Sequence, residues 1–158
     1  MIIKDWYYAI KVCRKYKITW WPMTKIDEGT YYESGIPFLT ERATISVNPF
    51  YRHFKEVFLH EVGHHIAKRI GFCNRYREYS ENTPKDERIL FSGESYFVRL
   101  DEEAFASRFA RKAGKGVVDT SLLVKWFQTY TACGYKSKYV DSITLTNKVS
   151  KLIKRIEK

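Results

Sequence analysis

The chain contains 158 residues, of which 44% are hydrophobic and 16% aromatic; this composition is typical of a globular domain and excludes an intrinsically disordered chain. The length is that of a single domain, which we place at residues 1–158. The 28 Lys and Arg residues outnumber the 18 Asp and Glu residues, and the formal net charge of +10 favours acidic partners such as nucleic acid or an acidic substrate. The charges are spread over most of the chain, so a solvated basic surface explains them equally well.

The sequence contains no run of about 18 apolar residues, so we expect no membrane-spanning segment. Its first residues carry charges within the apolar stretch and lack a small-residue cleavage site, which argues against a signal peptide. Cys13, Cys73 and Cys133 are odd in number and widely spaced, which fits neither a disulfide framework nor a Cys-x-x-Cys metal site. Reduced cysteines fit the cytoplasm, where we expect the protein to reside.

The first predicted element is an amphipathic helix over residues 3–16. Ile3, Trp6, Ile10 and Cys13 recur there at helical spacing, so they share one face. We expect this face to cover the core.

Three short strands are predicted next, at 17–21, 30–32 and 43–47, with turn signals between them. Ile45 and Val47 alternate onto one face of the last strand. The turn spacing predicts a small antiparallel sheet. If the last strand is an edge beside a functional site, its free backbone groups can pair with an extended peptide; the alternative is a covered edge without a role.

The pattern H-E-x-x-H occurs at residues 60–64. On a helix, His60 and His64 lie one turn apart on the same face, so both imidazoles can close on one metal ion. Glu61 then lies beside the metal, where it can take a proton from an activated water and hand it to a leaving amine. The alternative is a hydrogen-bonded histidine pair on a basic helix.

The motif is expected on a helix over residues 49–70. Asn48 is a good N-cap, Pro49 is tolerated in a first turn, and Gly71 supplies a stop. Apolar residues recur every four positions and predict a buried stripe, which consists of Phe54, Phe58, Val62, Ile66 and Ile70. The histidines of the motif fall on a flank of this stripe.

Catalytic zinc needs a third protein ligand, and no histidine follows the motif helix. We expect a carboxylate instead. Glu103 lies on a predicted helix over 101–114, where Ala106 and Ala110 share its face and allow a close approach to the motif helix. Glu102 is the second choice, and Cys73 is a further ligand in principle. The alternative is an acidic cluster that favours a helix N-terminus.

Two motifs in this order resemble the gluzincins, in which a glutamate on a second helix completes the zinc site. They are His60-Glu61-x-x-His64 and Glu103-x-x-Ala106-Ser107-x-Phe109-Ala110. Within that group, a short strand that runs into an Asn and then the motif helix is similar to the ImmA/IrrE-like metallopeptidases and the minigluzincins. The resemblance covers roughly residues 40–112.

The resemblance implies that His60, His64 and Glu103 bind Zn²⁺ and that Glu61 is the catalytic glutamate. Ser107 departs from the family pattern, which usually has Asp or Asn at this position to orient a ligand histidine. A hydroxyl is shorter than either side chain.

The remaining segments carry weaker signals. The polar stretch 72–95 is predicted to be a long connection that either borders the cleft or acts as a lid, and Tyr76, Tyr79 and Tyr96 are candidate donors to an oxyanion. The C-terminal third predicts two helices, which form either a packing hairpin or, as the alternative, a helix-turn-helix.

The expected fold class is α+β: a small antiparallel sheet against a helical, zincin-like core with the H-E-x-x-H helix, followed by a helical C-terminal third. The expected function is that of a cytoplasmic zinc metalloendopeptidase that cleaves a protein or peptide substrate, and the resemblance suggests a regulator as the target. The alternative is a weak or inactive binding module that holds zinc for structure and contacts nucleic acid or a protein partner through its basic surface.

Overall fold

The structure, a computed structural model, describes residues 2–22, 29–32, 42–70, 100–132 and 142–158. These ranges contain five helices and three strands, which makes the fold α+β with a helical C-terminal part, as predicted. In chain order the elements are α1 (Ile2–Tyr16), β1 (Thr19–Trp21), β2 (Gly29–Tyr32), β3 (Thr44–Val47), α2 (Phe54–Arg69), α3 (Leu100–Ala113), α4 (Thr120–Ala132) and α5 (Ser142–Glu157). None of the described helices is long and apolar enough to cross a membrane.

The three strands form a mixed sheet in the order β1-β3-β2. β2 runs antiparallel to β3, but β1 runs parallel to it, so the prediction of an antiparallel sheet is wrong for this pair. The chain leaves β1, forms β2 and then returns to place β3 between them. The connection from β1 to β3 exceeds the dozen or so residues that a parallel crossover requires.

The central position of β3 in the sheet is consistent with the burial of all its residues. All four of its residues are buried, because Thr44 and Ser46 are covered on one face while Ile45 and Val47 enter the core on the other. Since β3 has a partner strand on each side, the expectation that it offers an edge to a peptide is wrong. In the described part of the chain, the edges of the sheet are β1 and β2.

Helix α1 forms over the predicted range, but its buried face is rotated from the predicted one. Ala9, Val12 and Cys13 are buried, whereas the side chains of Trp6 and Ile10 are 39% and 44% exposed. Trp6 packs edge-to-face against Trp20 of β1, with ring centroids 5.6 Å apart, and so lies at the rim of the core.

Helix α2 carries the H-E-x-x-H motif and begins later than predicted. The side-chain Oδ1 of Asn48 accepts a hydrogen bond from the N–H of Phe50 at 2.8 Å, and its carbonyl accepts one from Tyr51. Asn48 therefore closes a turn ahead of the helix and is not its N-cap. Phe54, Phe58 and Val62 are fully buried and Ile66 is partly buried, as the predicted stripe requires. The prediction is wrong for Ile70, which is 62% exposed because it lies beyond the last turn of α2.

Helix α3 packs directly on α2, and the contact is closest at Gly63. An added Cβ at Gly63 would lie 2.6 Å from Cα and 2.8 Å from the carbonyl oxygen of Ala106. Ala106 and Ala110 are completely buried. The predicted close approach of the two helices through small residues is confirmed.

Helices α4 and α5 form a further layer on α3. Their apolar side chains and one alanine of α3 make a second buried cluster, which comprises Ala104, Phe127, Leu152 and Ile156. Lys148 of α5 also pairs with Asp101 of α3, with the ammonium 3.4 Å from the carboxylate. These helices thus fix the α3 turn that contains Glu103.

Gly63→Ala should destabilise the protein by about 1–3 kcal/mol, because the added methyl meets backbone atoms of α3 and forces the helices apart. The free energy of unfolding in urea measures this effect. Adding Ala106→Gly should not rescue the variant, since the closest atoms are the Cα and carbonyl oxygen, which remain. Full rescue by Ala106→Gly would show that the contact is not between backbones.

Candidate metal centre

Two helices bring three candidate ligands together. The Nε2 of His60 lies 3.2 Å from the Nε2 of His64 and 3.1 Å from Oε2 of Glu103. The second carboxylate oxygen of Glu103 lies 3.5 Å from the Nε2 of His64. The α2–α3 contact therefore places the carboxylate predicted as third ligand against both imidazoles of the motif.

The spacing of these atoms fits a tetrahedral metal ion. Ligand atoms about 2.0–2.1 Å from a tetrahedral zinc lie roughly 3.3 Å apart, which matches the three separations. Within the described ranges, His60, His64 and Glu103 are the one group of His, Cys, Asp or Glu side chains that could hold a metal, with ligand atoms within 4.8 Å of one another. Three protein ligands leave a coordination position open.

The outer nitrogens of both histidines are held by side chains of α3. Oε1 of Glu102 lies 3.0 Å from Nδ1 of His64, and Oγ of Ser107 lies 3.2 Å from Nδ1 of His60. An ionised carboxylate only accepts hydrogen bonds, so Nδ1 of His64 donates and its Nε2 keeps a lone pair for the metal.

Glu102, the second choice for third ligand, is thus placed on the far side of His64 from Glu103. Its positioning role was missed in the sequence, although its place next to Glu103 on the predicted helix was the available signal. Ser107 does reach His60 despite its short side chain.

The ionisation of His64 and that of Glu103 depend on each other. Burial by itself lowers the pKa of His64, but the carboxylates of Glu103, Glu102 and Glu61 outweigh it and raise the pKa to about 10. Burial raises the pKa of Glu103, and the adjacent His64 and His60 outweigh this and lower it to about 2. In the metal-free chain a proton on His64 therefore compensates the carboxylates, and metal binding must displace it.

Glu61 is buried beside the triad, with 9% of its surface exposed, and makes no part of the ligand set. Burial raises its pKa, although His64 and His60 act in the opposite direction. Gly29 of β2 packs against it, since a Cβ at Gly29 would lie 2.9 Å from Cγ and 3.0 Å from Oε1 of Glu61. The edge strand β2 thus fixes the position of this carboxylate.

The other two histidines lie outside the cluster. The Tyr31 hydroxyl lies 3.2 Å from Nδ1 of His65, and Nε2 of His65 donates to the carbonyl of Tyr16 at 3.2 Å, so this ring joins α2 to α1 and β2. His53 precedes α2 and packs edge-to-face on Trp126 of α4. Both contacts are structural.

Several weaker candidates from the sequence fall outside the described residues. They are the connection 72–95, the candidate ligand Cys73 and the candidate oxyanion donors Tyr76, Tyr79 and Tyr96. Comparisons of the chain with protein-family models, with curated proteins and with solved structures found no match.

Glu102→Gln should weaken zinc binding by about 10- to 100-fold, because an amide holds the Nδ1 proton of His64 less strongly than a carboxylate does. Competition with a chromophoric chelator measures the affinity. Glu157→Gln, at an exposed position on α5, is the control for the loss of one charge and should bind zinc as wild type does. Equal affinities for Glu102→Gln and Glu157→Gln would contradict a positioning role.

The metal-free protein should become less stable as the pH rises from 6.5 towards 10. His64 has an ordinary pKa of 6.5 and a folded-state pKa of about 10. Its protonation therefore stabilises the folded state fully below pH 6.5, and this contribution is lost between pH 6.5 and about 10. Glu103 behaves oppositely, with a stabilisation that is present above its ordinary pKa of 4.5 and is lost as the pH falls towards 2.

Urea titration of the metal-free chain at a series of pH values measures this dependence. In Glu103→Gln the decline above pH 6.5 should be shallower, since the carboxylate that most strongly raises the pKa of His64 is gone. An alkaline slope identical to wild type would show that the stability change comes from other groups.

Proposed function

We propose that the protein is a zinc-dependent metalloendopeptidase in which His60, His64 and Glu103 hold the metal and Glu61 is the general base. The observation that carries this proposal is the convergence of two imidazole nitrogens and a carboxylate, with a second buried carboxylate alongside that is not a ligand. A site that held zinc only for structure has no need of Glu61. The resemblance to the gluzincins supports the same assignment.

Zinc is the metal that best suits this donor set, since two imidazoles and one carboxylate with an open position are typical of catalytic zinc. When bound, zinc would supply Lewis acidity to a water molecule and to the scissile carbonyl. Glu102 and Ser107 hold the outer nitrogens of the histidines and so direct both Nε2 lone pairs inwards.

Glu61 would move the proton of the reaction. Burial raises the pKa of this carboxyl group, which makes it a stronger base than an exposed glutamate and able to retain the proton it accepts. It then returns the proton to the nitrogen of the leaving amine. The absence of a side chain at Gly29 leaves room for this carboxylate beside β2.

A peptide substrate is supported by the position of β2. Among the described residues this strand has a partner, β3, on one side, and its first residue, Gly29, packs against Glu61. An extended peptide added along the other side of β2 would run past the catalytic carboxylate with its amides aligned. The pairing with an extended peptide that the sequence suggested for β3 is therefore proposed for β2. The ImmA/IrrE-like resemblance suggests a regulatory protein in the cytoplasm as the substrate.

A second candidate is a zinc-holding module that binds nucleic acid or a protein partner without catalysis. The observation that favours it is the exposed basic surface of α5, which presents Lys151, Lys154, Arg155 and Lys158. Such a surface attracts polyanions in a salt-dependent manner.

Wild-type protein and Glu61→Gln should each contain about one zinc per chain, whereas Glu103→Ala should lose most of it, because only Glu103 belongs to the three-ligand site. Cleavage of a degenerate peptide library, followed by mass spectrometry, should fall by roughly 10²–10⁴-fold in Glu61→Gln, since the general base is lost.

The two readouts separate the proposed functions. If the protein binds zinc and Glu61→Gln cleaves the peptides as fast as wild type, Glu61 is not the general base. Zinc binding without cleavage, together with salt-sensitive DNA binding that is lost on replacing Lys151 and Lys154 by Gln, would favour the binding module.

A further inference from the structure

A groove lies at the edge of the sheet opposite the metal centre. Its volume is about 790 Å³, and it is formed by the C-terminal end of α1, by β1 and by the residue that precedes β3. The lining residues are Ile10, Cys13, Arg14, Lys17, Ile18, Thr19, Trp20 and Arg42. β1 and β2 flank β3, and Glu61 touches β2, so the groove is separated from the catalytic carboxylate by the width of the sheet.

The groove combines an apolar floor with a cationic rim. Ile10, Ile18 and Trp20 are apolar residues of the lining; Ile10 is 44% exposed, whereas Ile18 is only 6% exposed. Among the described residues, the charged ones that line it are Arg14, Lys17 and Arg42, and none of them is a carboxylate. Neither Arg14 nor Lys17 forms an ion pair in the described part of the chain. Negative charge is therefore the complement of this rim.

The edge of β1 offers backbone groups to the same groove. The N–H of Thr19 donates to the carbonyl of Ala43 at 2.9 Å, so Thr19 directs its backbone groups towards β3. Because these directions alternate along a strand, the N–H and C=O of Trp20 point away from β3, to the side without a partner strand among the described residues. An extended chain can pair with them.

Lys17 lies in a backbone conformation that a lysine adopts only at a cost. Its φ is 57°, and within the described ranges it is the one residue other than glycine with a positive φ. Glycine ends a helix in this conformation without the clash of a Cβ. A lysine here adds strain to the fold but supplies a cation to the groove, and such strain is typical of functional positions.

We propose that this groove binds an extended acidic peptide segment of a partner protein, which adds to the edge of β1 at Trp20 and places its carboxylates against Arg14 and Lys17. Its apolar side chains would cover Ile10. The site is independent of the metal centre and of the proposed peptidase activity.

The test uses the full-length protein and a fluorescein-labelled octapeptide of alternating Glu and Val, with fluorescence anisotropy as the readout. A peptide of alternating Lys and Val carries the same apolar side chains with opposite charge. The acidic peptide should bind at least about tenfold more tightly than the basic one, because its charge complements the rim. A third peptide, N-methylated at alternate amides, should bind at least about fivefold more weakly, since methylation blocks strand pairing.

Matched variants locate the binding. Replacing Arg14 and Lys17 together by Gln should weaken the acidic peptide about 5- to 20-fold through the loss of two ion pairs. Replacing Lys4 and Lys11 together by Gln removes the same charge from exposed positions of α1 that do not line the groove, and should change the affinity less than about twofold. Glu103→Ala should leave it unchanged, since the metal site is separate.

Lys17→Gly distinguishes a loss of binding from a loss of folding. Glycine relieves the positive-φ strain, so the urea midpoint should not fall, while peptide binding should still weaken. The proposal is overturned if the acidic peptide does not bind, if N-methylation has no effect, or if Lys4 and Lys11 matter as much as Arg14 and Lys17. Tighter binding of a single-stranded oligonucleotide with the same dependence on Arg14 and Lys17 would overturn it in favour of nucleic acid.

Discussion

The contact of Gly63 with the backbone of Ala106 is the constraint on which the metal centre depends. It allows α2 and α3 to approach so closely that side chains from both helices meet within hydrogen-bond distance. The site is therefore a product of helix packing as much as of ligand chemistry.

This packing has an electrostatic cost. It places the buried Glu61 and the partly buried Glu102 and Glu103 around His64, where an uncompensated charge is destabilising. A proton on His64 offsets part of that charge in the metal-free chain, and a divalent cation would offset more. The cluster is thus preorganised for a cation, and the Nδ1 contacts from Glu102 and Ser107 settle which nitrogen faces it.

The sheet gives the molecule two unlike edges. The edge at β2 packs against Glu61 through Gly29, so a chain paired there would lie near the proposed general base. The edge at β1 faces an apolar groove with a basic rim. Because β1, β3 and β2 all lie between two peptides added at the outer edges, the two proposed peptide sites are about 19 Å apart at their backbones, given a strand spacing of about 4.8 Å. A partner held at β1 would leave β2 accessible.

The sequence by itself determined the α+β class, the motif helix and the pairing of His60 and His64 with a carboxylate on a second helix, because helical periodicity and the ligand needs of zinc are local rules. Only the tertiary structure decided the strand order, since residues far apart in the chain choose their neighbours by packing. Only the tertiary structure decided which face of α1 is buried. It also decided that Glu103 lies at the Nε2 atoms of the histidines while Glu102 contacts Nδ1 of His64, because these contacts depend on where α2 lies.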